Sequence, residues 1–115
     1  MFIIEYYELP NGDKPVEIFI DGLDTKMRAK AFGRIELLEE YGNTLREPYS
    51  KAMGDGVFEL RIDFAGDITR IFFFFMIGRK VILTNGIVKK EEKTPQNALD
   101  LAKKYKADYE GKHNK

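Results

Sequence analysis

Residues 57–64 read VFELRIDF, and after Ala65-Gly66-Asp67 residues 68–77 read ITRIFFFFMI. In the first segment Phe58, Leu60, Ile62 and Phe64 alternate with Glu59, Arg61 and Asp63. That period of two belongs to a strand with one buried face. The second segment is apolar at successive positions, as a strand covered on both faces must be. Together they predict a hairpin whose second strand lies centrally in a sheet. A two-residue turn at Gly66-Asp67 sets Leu60 opposite Phe73, Ile62 opposite Ile71, Asp63 opposite Arg70 and Arg61 opposite Phe72. A second turn at Gly78-Arg79 leads into KVILTNGIV, residues 80–88, and sets Arg70 opposite Ile87. Arg61, Arg70, Asn85 and Lys89 then share the sheet face turned away from Phe58 and Leu60. A one-residue slip would put Arg61 beside the core, so the apolar pattern restrains the register.

The rest of the chain extends this unit. Phe2 to Tyr7 reads as a strand ended by the turn Pro10-Asn11-Gly12. Pro15 suits the first position of a short helix, with Asp13 to cap it and Gly22 to stop it. Asp24 caps a longer helix whose stripe is Leu23, Met27, Ala31, Ile35, Leu38 and Tyr41, ended by Gly42-Asn43. Residues 43–56 read as an irregular loop, long for a small domain. Thr94-Pro95 reads as N-cap and first residue of a last helix, with Ala98, Ala102, Tyr105 and Tyr109 on its apolar side. The expected string is β-α-α-β-β-β-α, an α+β fold with a small antiparallel sheet packed on helices, in one domain spanning residues 1–115.

Composition narrows the function classes. The chain has 115 residues, 43% hydrophobic and 33% charged, with no Cys and one His. Thiolate metal sites and disulfides are excluded, and a His-based triad is not expected with the lone His at position 113. No apolar run reaches the roughly 18 residues of a membrane span, and the N-terminus lacks the pattern of a signal peptide. A cytoplasmic protein with no membrane partner, no metal and no small-molecule cofactor is the expectation. The net charge of zero hides an asymmetry: residues 1–60 carry a balance of −5 and residues 61–115 one of +5. A basic face on a small domain favours a polyanionic partner.

The cations converge on one face. Arg61 and Arg70 with Lys89, Lys90 and Lys93 form a phosphate-sized cluster, Arg offering bidentate contacts and Lys a point charge. Tyr105 and Tyr109 of the last helix could reach its rim, where a ring can stack on an unpaired base. Each residue also has a plainer reading. Arg61 can bridge Glu59, Arg70 can pair with Asp63, the lysines with Glu91 and Glu92 can form a solvated turn, and the tyrosines can fill the helix core.

The ordered set Gly56-Val57-Phe58-Glu59-Leu60-Arg61, Arg70-Ile71, and Gly86-Ile87-Val88-Lys89-Lys90-Glu91-Glu92-Lys93-Thr94-Pro95 resembles the RelE/ParE superfamily of toxin–antitoxin toxins. It is most similar to the HigB-like, phage-derived branch. The resemblance implies a RelE-like, microbial-ribonuclease-like fold. It implies a ribosome-dependent mRNA endonuclease that works in the ribosomal A site and is neutralised by a cognate antitoxin. In that chemistry the ribose 2′-oxygen attacks its own 3′-phosphate without a metal. By motif, Arg61 and Arg70 would stabilise the transition state, and Lys89 and Lys90 would take part in catalysis. Lys93, Asn85, Tyr105 and Tyr109 would contact RNA, and Asp108 is a further C-terminal candidate. Many relatives carry His where this chain has Asn85, and Asn cannot transfer protons at neutral pH. Two other functions fit the superfamily: a ParE-like inhibitor of DNA gyrase, and a catalytically decayed antitoxin-binding domain.

Overall fold

A computed structural model describes residues 1–91 and 93–113. The elements run β1 (Ile3–Tyr6), α1 (Pro15–Asp21), α2 (Thr25–Tyr41), a 3-10 turn (Gly42–Thr44), β2 (Ser50–Gly54), β3 (Val57–Phe64), β4 (Asp67–Met76), β5 (Lys80–Lys89) and α3 (Gln96–His113). The five strands form one sheet in the order β1-β5-β4-β3-β2. β4 is the central strand, as its unbroken apolar run requires. Ile71 and Phe73 pack on one side of it, and Phe72 and Phe74 on the other. No helix among the described residues is long and apolar enough to cross a membrane.

The fold is α+β, with two corrections to its sheet. The sheet is mixed rather than antiparallel, because β1 runs parallel to β5. No hairpin links those two strands, so no turn dictates their relative direction. The segment expected to be an irregular loop contains β2, which pairs antiparallel with β3. Its sequence SKAMG lacks strand-forming side chains, and only Ser50 is buried. Backbone pairing with β3, not side-chain pattern, makes it a strand.

The sheet separates two helical layers. α1 and α2 cover one face with Val16, Ile20, Met27, Ala31, Ile35 and Leu38, packed on Leu60, Ile62, Ile71, Phe73, Val81 and Leu83. Asp24 caps α2 by accepting from the Met27 amide at 2.9 Å. Tyr41, expected in the stripe, is exposed at its end. α1 begins at Pro15 as expected, but its N-cap is Lys14, which makes no side-chain cap. Asp13 instead donates its backbone N–H to the Asn11 side chain in the preceding turn. α3 covers the other face, with Ala98 and Ala102 over Phe72 and Tyr109 over Phe74.

The hairpin register differs from the expected one by two residues. Ala65 and Gly66, not Gly66 and Asp67, form the β3–β4 turn, with φ of 53° and 87°. Two positive φ values match the twist of the flanking strands. Leu60 therefore faces Ile71, Asp63 faces Ile68, and Arg61 faces Arg70. An even shift keeps each side chain on its expected face. The β4–β5 connection is Ile77-Gly78-Arg79, and a bulge between Phe72 and Phe73 restores the expected pairing of Arg70 with Ile87.

Gly86 fixes how α1 sits on the sheet. A Cβ added there would collide with the Phe19 ring. Gly86→Ala should lower stability by about 1–3 kcal/mol, as overpacking does, read as a lower urea midpoint with an unchanged slope.

Candidate functional site

The register places two guanidinium groups opposite each other on the α3 face. Like charges directly across a strand pair repel, so acids must flank them. Alternation supplies two: Glu59 and Asp63 lie two residues either side of Arg61 on β3, diagonal to Arg70. Arg70 Nη1 donates to Asp63 Oδ1 at 2.6 Å and to the Thr69 carbonyl at 2.9 Å. Its Nε lies 3.5 Å from Glu59 Oε2. Arg61 Nε lies 3.6 Å from the same oxygen, and its Nη1 lies 4.0 Å from Glu47 Oε1. The pairing of Arg70 with Asp63 thus exists, as a diagonal contact rather than a facing one.

Burial separates the two arginines. The Arg70 side chain is 0% exposed and that of Glu59 is 3%, whereas Arg61 keeps 22%. The second Glu59 oxygen accepts from the Thr94 hydroxyl at 2.9 Å. Thr94 in turn accepts from Lys89 Nζ at 3.0 Å. Lys89, at the end of β5, is 7% exposed. Thr94 was expected to cap α3; the helix starts at Gln96, and the Thr94 hydroxyl closes this network instead. Lys90 and Lys93 stand exposed beside it. Glu59 and Asp63 enter the sequence reading only as ion-pair partners of Arg61 and Arg70, pairs that do form, and Thr94 only as a helix cap; none is named there as a site residue. Glu59 could have been found from the alternation, which sets a carboxylate next to Arg61 on a face otherwise lined by Phe72. Thr94 could not, because it arrives from a different element.

The remaining expected residues lie elsewhere on the face. Asn85 is buried; its Nδ2 donates to the Ala98 carbonyl at 3.1 Å, and its Oδ1 lies 2.8 Å from the Thr84 hydroxyl. It ties the start of α3 to the sheet. Tyr109 packs on Phe74, four residues along β4 from Arg70, about 13 Å at strand rise. His113 stacks on the Tyr109 ring with centroids 3.9 Å apart. Tyr105 stacks on Tyr7 at 4.5 Å. The structure therefore gathers Arg61, Arg70 and Lys89, with Lys90 and Lys93 at the rim, and sets Asn85, Tyr105 and Tyr109 in packing positions under and along α3.

A second polar cluster ties α3 to β1. The Tyr7 hydroxyl donates to Asp108 Oδ2 at 2.5 Å, and Lys112 pairs with the same carboxylate at 3.0 Å. The hydrogen bond from Tyr7, then that from Lys112, holds the Asp108 carboxyl below its usual range. Burial, then the bond to Asp108, pushes the Tyr7 phenol up. Asp108, named as a C-terminal candidate, thus anchors the far end of α3.

Among models of known protein families, that described as phage-derived protein Gp49-like (DUF891) matches residues 18–107. The matched span includes Glu59, Arg61, Arg70, Lys89 and Thr94. No curated protein matches the chain.

Two outcomes are expected of this geometry. Arg70→Ala strips a counter-charge from buried Glu59 and should cost about 3–5 kcal/mol, while Arg61→Ala, at a half-open pair, should cost about 1 kcal/mol or less; urea unfolding reads both. The depressed Asp108 pKa adds stability above the carboxyl's unfolded value, lost as pH falls through the folded value. The stability gap between the wild type and Asp108→Asn should therefore be open at pH 7 and close toward pH 3.

Proposed function

The chain belongs to the Gp49-like family of phage-derived proteins, a toxin-like family of RelE/ParE-type toxin–antitoxin systems, and on that premise we propose that it is a HigB-like mRNA endonuclease. It acts in the cytoplasm on mRNA in the ribosomal A site. One observation carries this reading: a buried carboxylate, Glu59, shared by two facing arginines and linked through Thr94 to Lys89.

The arrangement suits phosphodiester transesterification. The ribose 2′-oxygen attacks the adjacent phosphorus, the bond to the 5′-oxygen breaks, and a cyclic 2′,3′-phosphate remains. Negative charge grows on the non-bridging oxygens as the phosphorane forms. Cations already fixed in place stabilise that charge without reorganising at the moment of reaction. Arg61, the more open arginine, contacts the phosphate, with Lys90 and Lys93 holding the flanking backbone. Arg70 is enclosed, so it acts by holding Glu59 and balancing its charge.

Proton transfer falls to the rim of the same network. One proton must leave the 2′-hydroxyl and one must reach the 5′-oxygen. Asn85 can supply neither. Glu59 and Lys89, joined through Thr94, are nearly as enclosed as Arg70, so the exposed Lys90 and Lys93 are the groups placed to exchange protons with the RNA. A cognate antitoxin completes the proposed system.

The test is primer extension on a reporter mRNA during cell-free translation, with wild type beside Arg61→Ala. Codon-phased cuts confined to translating ribosomes are expected, with a 5′-hydroxyl on the downstream fragment. Arg61→Ala should slow cutting about 100-fold, the scale of losing one preorganised donor to developing charge. Intact mRNA with folded wild-type protein overturns the reading and directs attention to gyrase inhibition.

A further inference from the structure

Residues 45–49 lead from the 3-10 turn to β2 and touch the cation cluster on the way. The Tyr49 carbonyl accepts the Arg61 amide at 2.8 Å, so the two backbones lie one strand spacing apart, about 5 Å. Glu47 approaches the Arg61 guanidinium at 4.0 Å while its own side chain stays 63% exposed. Under the nuclease reading Arg61 is the arginine on the phosphate. Whatever binds beside residues 45–49 therefore binds beside the substrate.

A cleft of about 340 Å³ opens there, at the small end of the range for ligand sites. Leu37 and Leu45 are half-buried and give it an apolar floor, and Tyr41, Tyr49, Arg46 and Glu47 are its exposed walls. The two tyrosines keep 47% and 39% of their surface open. Both walls are braced. The Arg34 guanidinium lies over the Tyr49 ring, 5.0 Å from its centroid. Arg34 does not line the cleft, so the cleft meets that ring from another side. Arg46 Nη1 donates to the carbonyls of Asn43 and Leu45 at 2.7 and 3.3 Å, and the Thr44 hydroxyl donates to the Tyr41 carbonyl at 2.7 Å. Rings and donors already held in place lose little freedom when a ligand arrives.

We propose that this cleft receives an unpaired guanine of the RNA strand whose phosphate lies at Arg61. The assignment rests on the nuclease reading above and adds a base-reading site to it. Tyr41 and Tyr49 offer stacking surface, which suits any base. The charged walls choose among bases. Guanine presents two adjacent N–H donors, at N1 and N2, and two acceptors, O6 and N7. The two oxygens of the Glu47 carboxylate accept from both donors, and the Arg46 guanidinium donates to the acceptors. Cytosine and adenine have no such pair of donors, so one carboxylate oxygen would be left unmatched. The contact of Glu47 with Arg61 is long and exposed, so it yields at little cost. Guanine then turns Glu47 away from Arg61 as the phosphate takes its place.

The probe is a short fluorescein-labelled oligouridine carrying one guanine, 2′-O-methylated throughout so that it cannot be cut, beside the same strand with cytosine in that place. Anisotropy with the full chain should show the guanine strand bound about tenfold tighter, the scale of one well-read base. Glu47→Gln, at an exposed side chain that the fold does not need, should remove most of that preference. Tyr49→Ala should weaken the guanine strand about tenfold, the scale of one lost stack, and Tyr49→Phe should restore it. A strand with 6-thioguanine at the same position should photocrosslink within residues 41–49, read by mass spectrometry. No binding of either strand, equal affinity for the two, a preference that survives Glu47→Gln, or a crosslink elsewhere overturns the inference. A chain that cuts mRNA but has no guanine preference defeats this inference alone; one that prefers guanine at this cleft but leaves mRNA intact defeats the nuclease reading alone.

Discussion

Two guanidinium groups face each other across β3 and β4, and one of them has no exposed surface. That juxtaposition is unfavourable unless opposite charge lies between them, because a buried unpaired ion costs several kcal/mol. Glu59 meets the requirement by reaching both arginines with one oxygen and leaving the other for Thr94. The carboxylate thereby couples the β3–β4 hairpin to a segment distant in sequence, the stretch from the end of β5 to the approach to α3. Much of this face is organised around that need. Asp63 takes the outer nitrogen of Arg70, and Asn85 anchors α3 beside the cluster.

α3 has two attachments with different chemistry. At its start the contacts are small and polar, through Asn85 and Thr94, and the helix approaches closely because Ala98 and Ala102 lie against Phe72. At its far end the contacts are aromatic: Tyr105 on Tyr7, Tyr109 on Phe74, and His113 on Tyr109. The cation cluster occupies the first end and the Tyr7–Asp108 pair the second. The α1/α2 layer does the complementary work on the other face. It buries Val16, Ile20, Met27, Ala31, Ile35 and Leu38 against the sheet, apolar burial of the kind that drives folding, while the α3 face carries the charge. The cleft beside Tyr49 adds a third surface, aromatic where the cluster is basic.

Much of this was legible in the chain, for particular reasons. The alternation through Phe58, Leu60 and Ile62 identifies β3 and its buried face. The apolar run through Phe75 identifies a central strand, since no half-exposed strand could carry it. Even with the turn placed one residue late and the register thereby shifted by two, Arg61, Arg70 and Lys89 share one face, because faces depend only on parity. Asp24 capping α2 and the stripe from Met27 to Leu38 follow from helical spacing. The strand β2 was not legible: a weakly patterned edge segment becomes a strand only when a neighbour offers its backbone. The parallel direction of β1 was likewise hidden, since no local turn encodes it.

The candidate site divides along the same line. The sequence by itself determined which residue types share a surface, because side-chain direction along a strand has a period of two and needs no tertiary information. It could not determine depth. Arg61 and Arg70 look equivalent in the chain, yet one keeps 22% exposure and the other none, because Arg70 lies on the central strand of the sheet and Arg61 on the strand next to its edge. Nor could it determine who meets whom across long loops. Thr94 reads as a helix cap and becomes the bridge between Glu59 and Lys89. Tyr105 and Tyr109 read equally as core or as binding surface, and packing against Tyr7 and Phe74 decided their place. Periodicity is a property of adjacent residues; burial and charge pairing are properties of surfaces that exist only once the layers have docked.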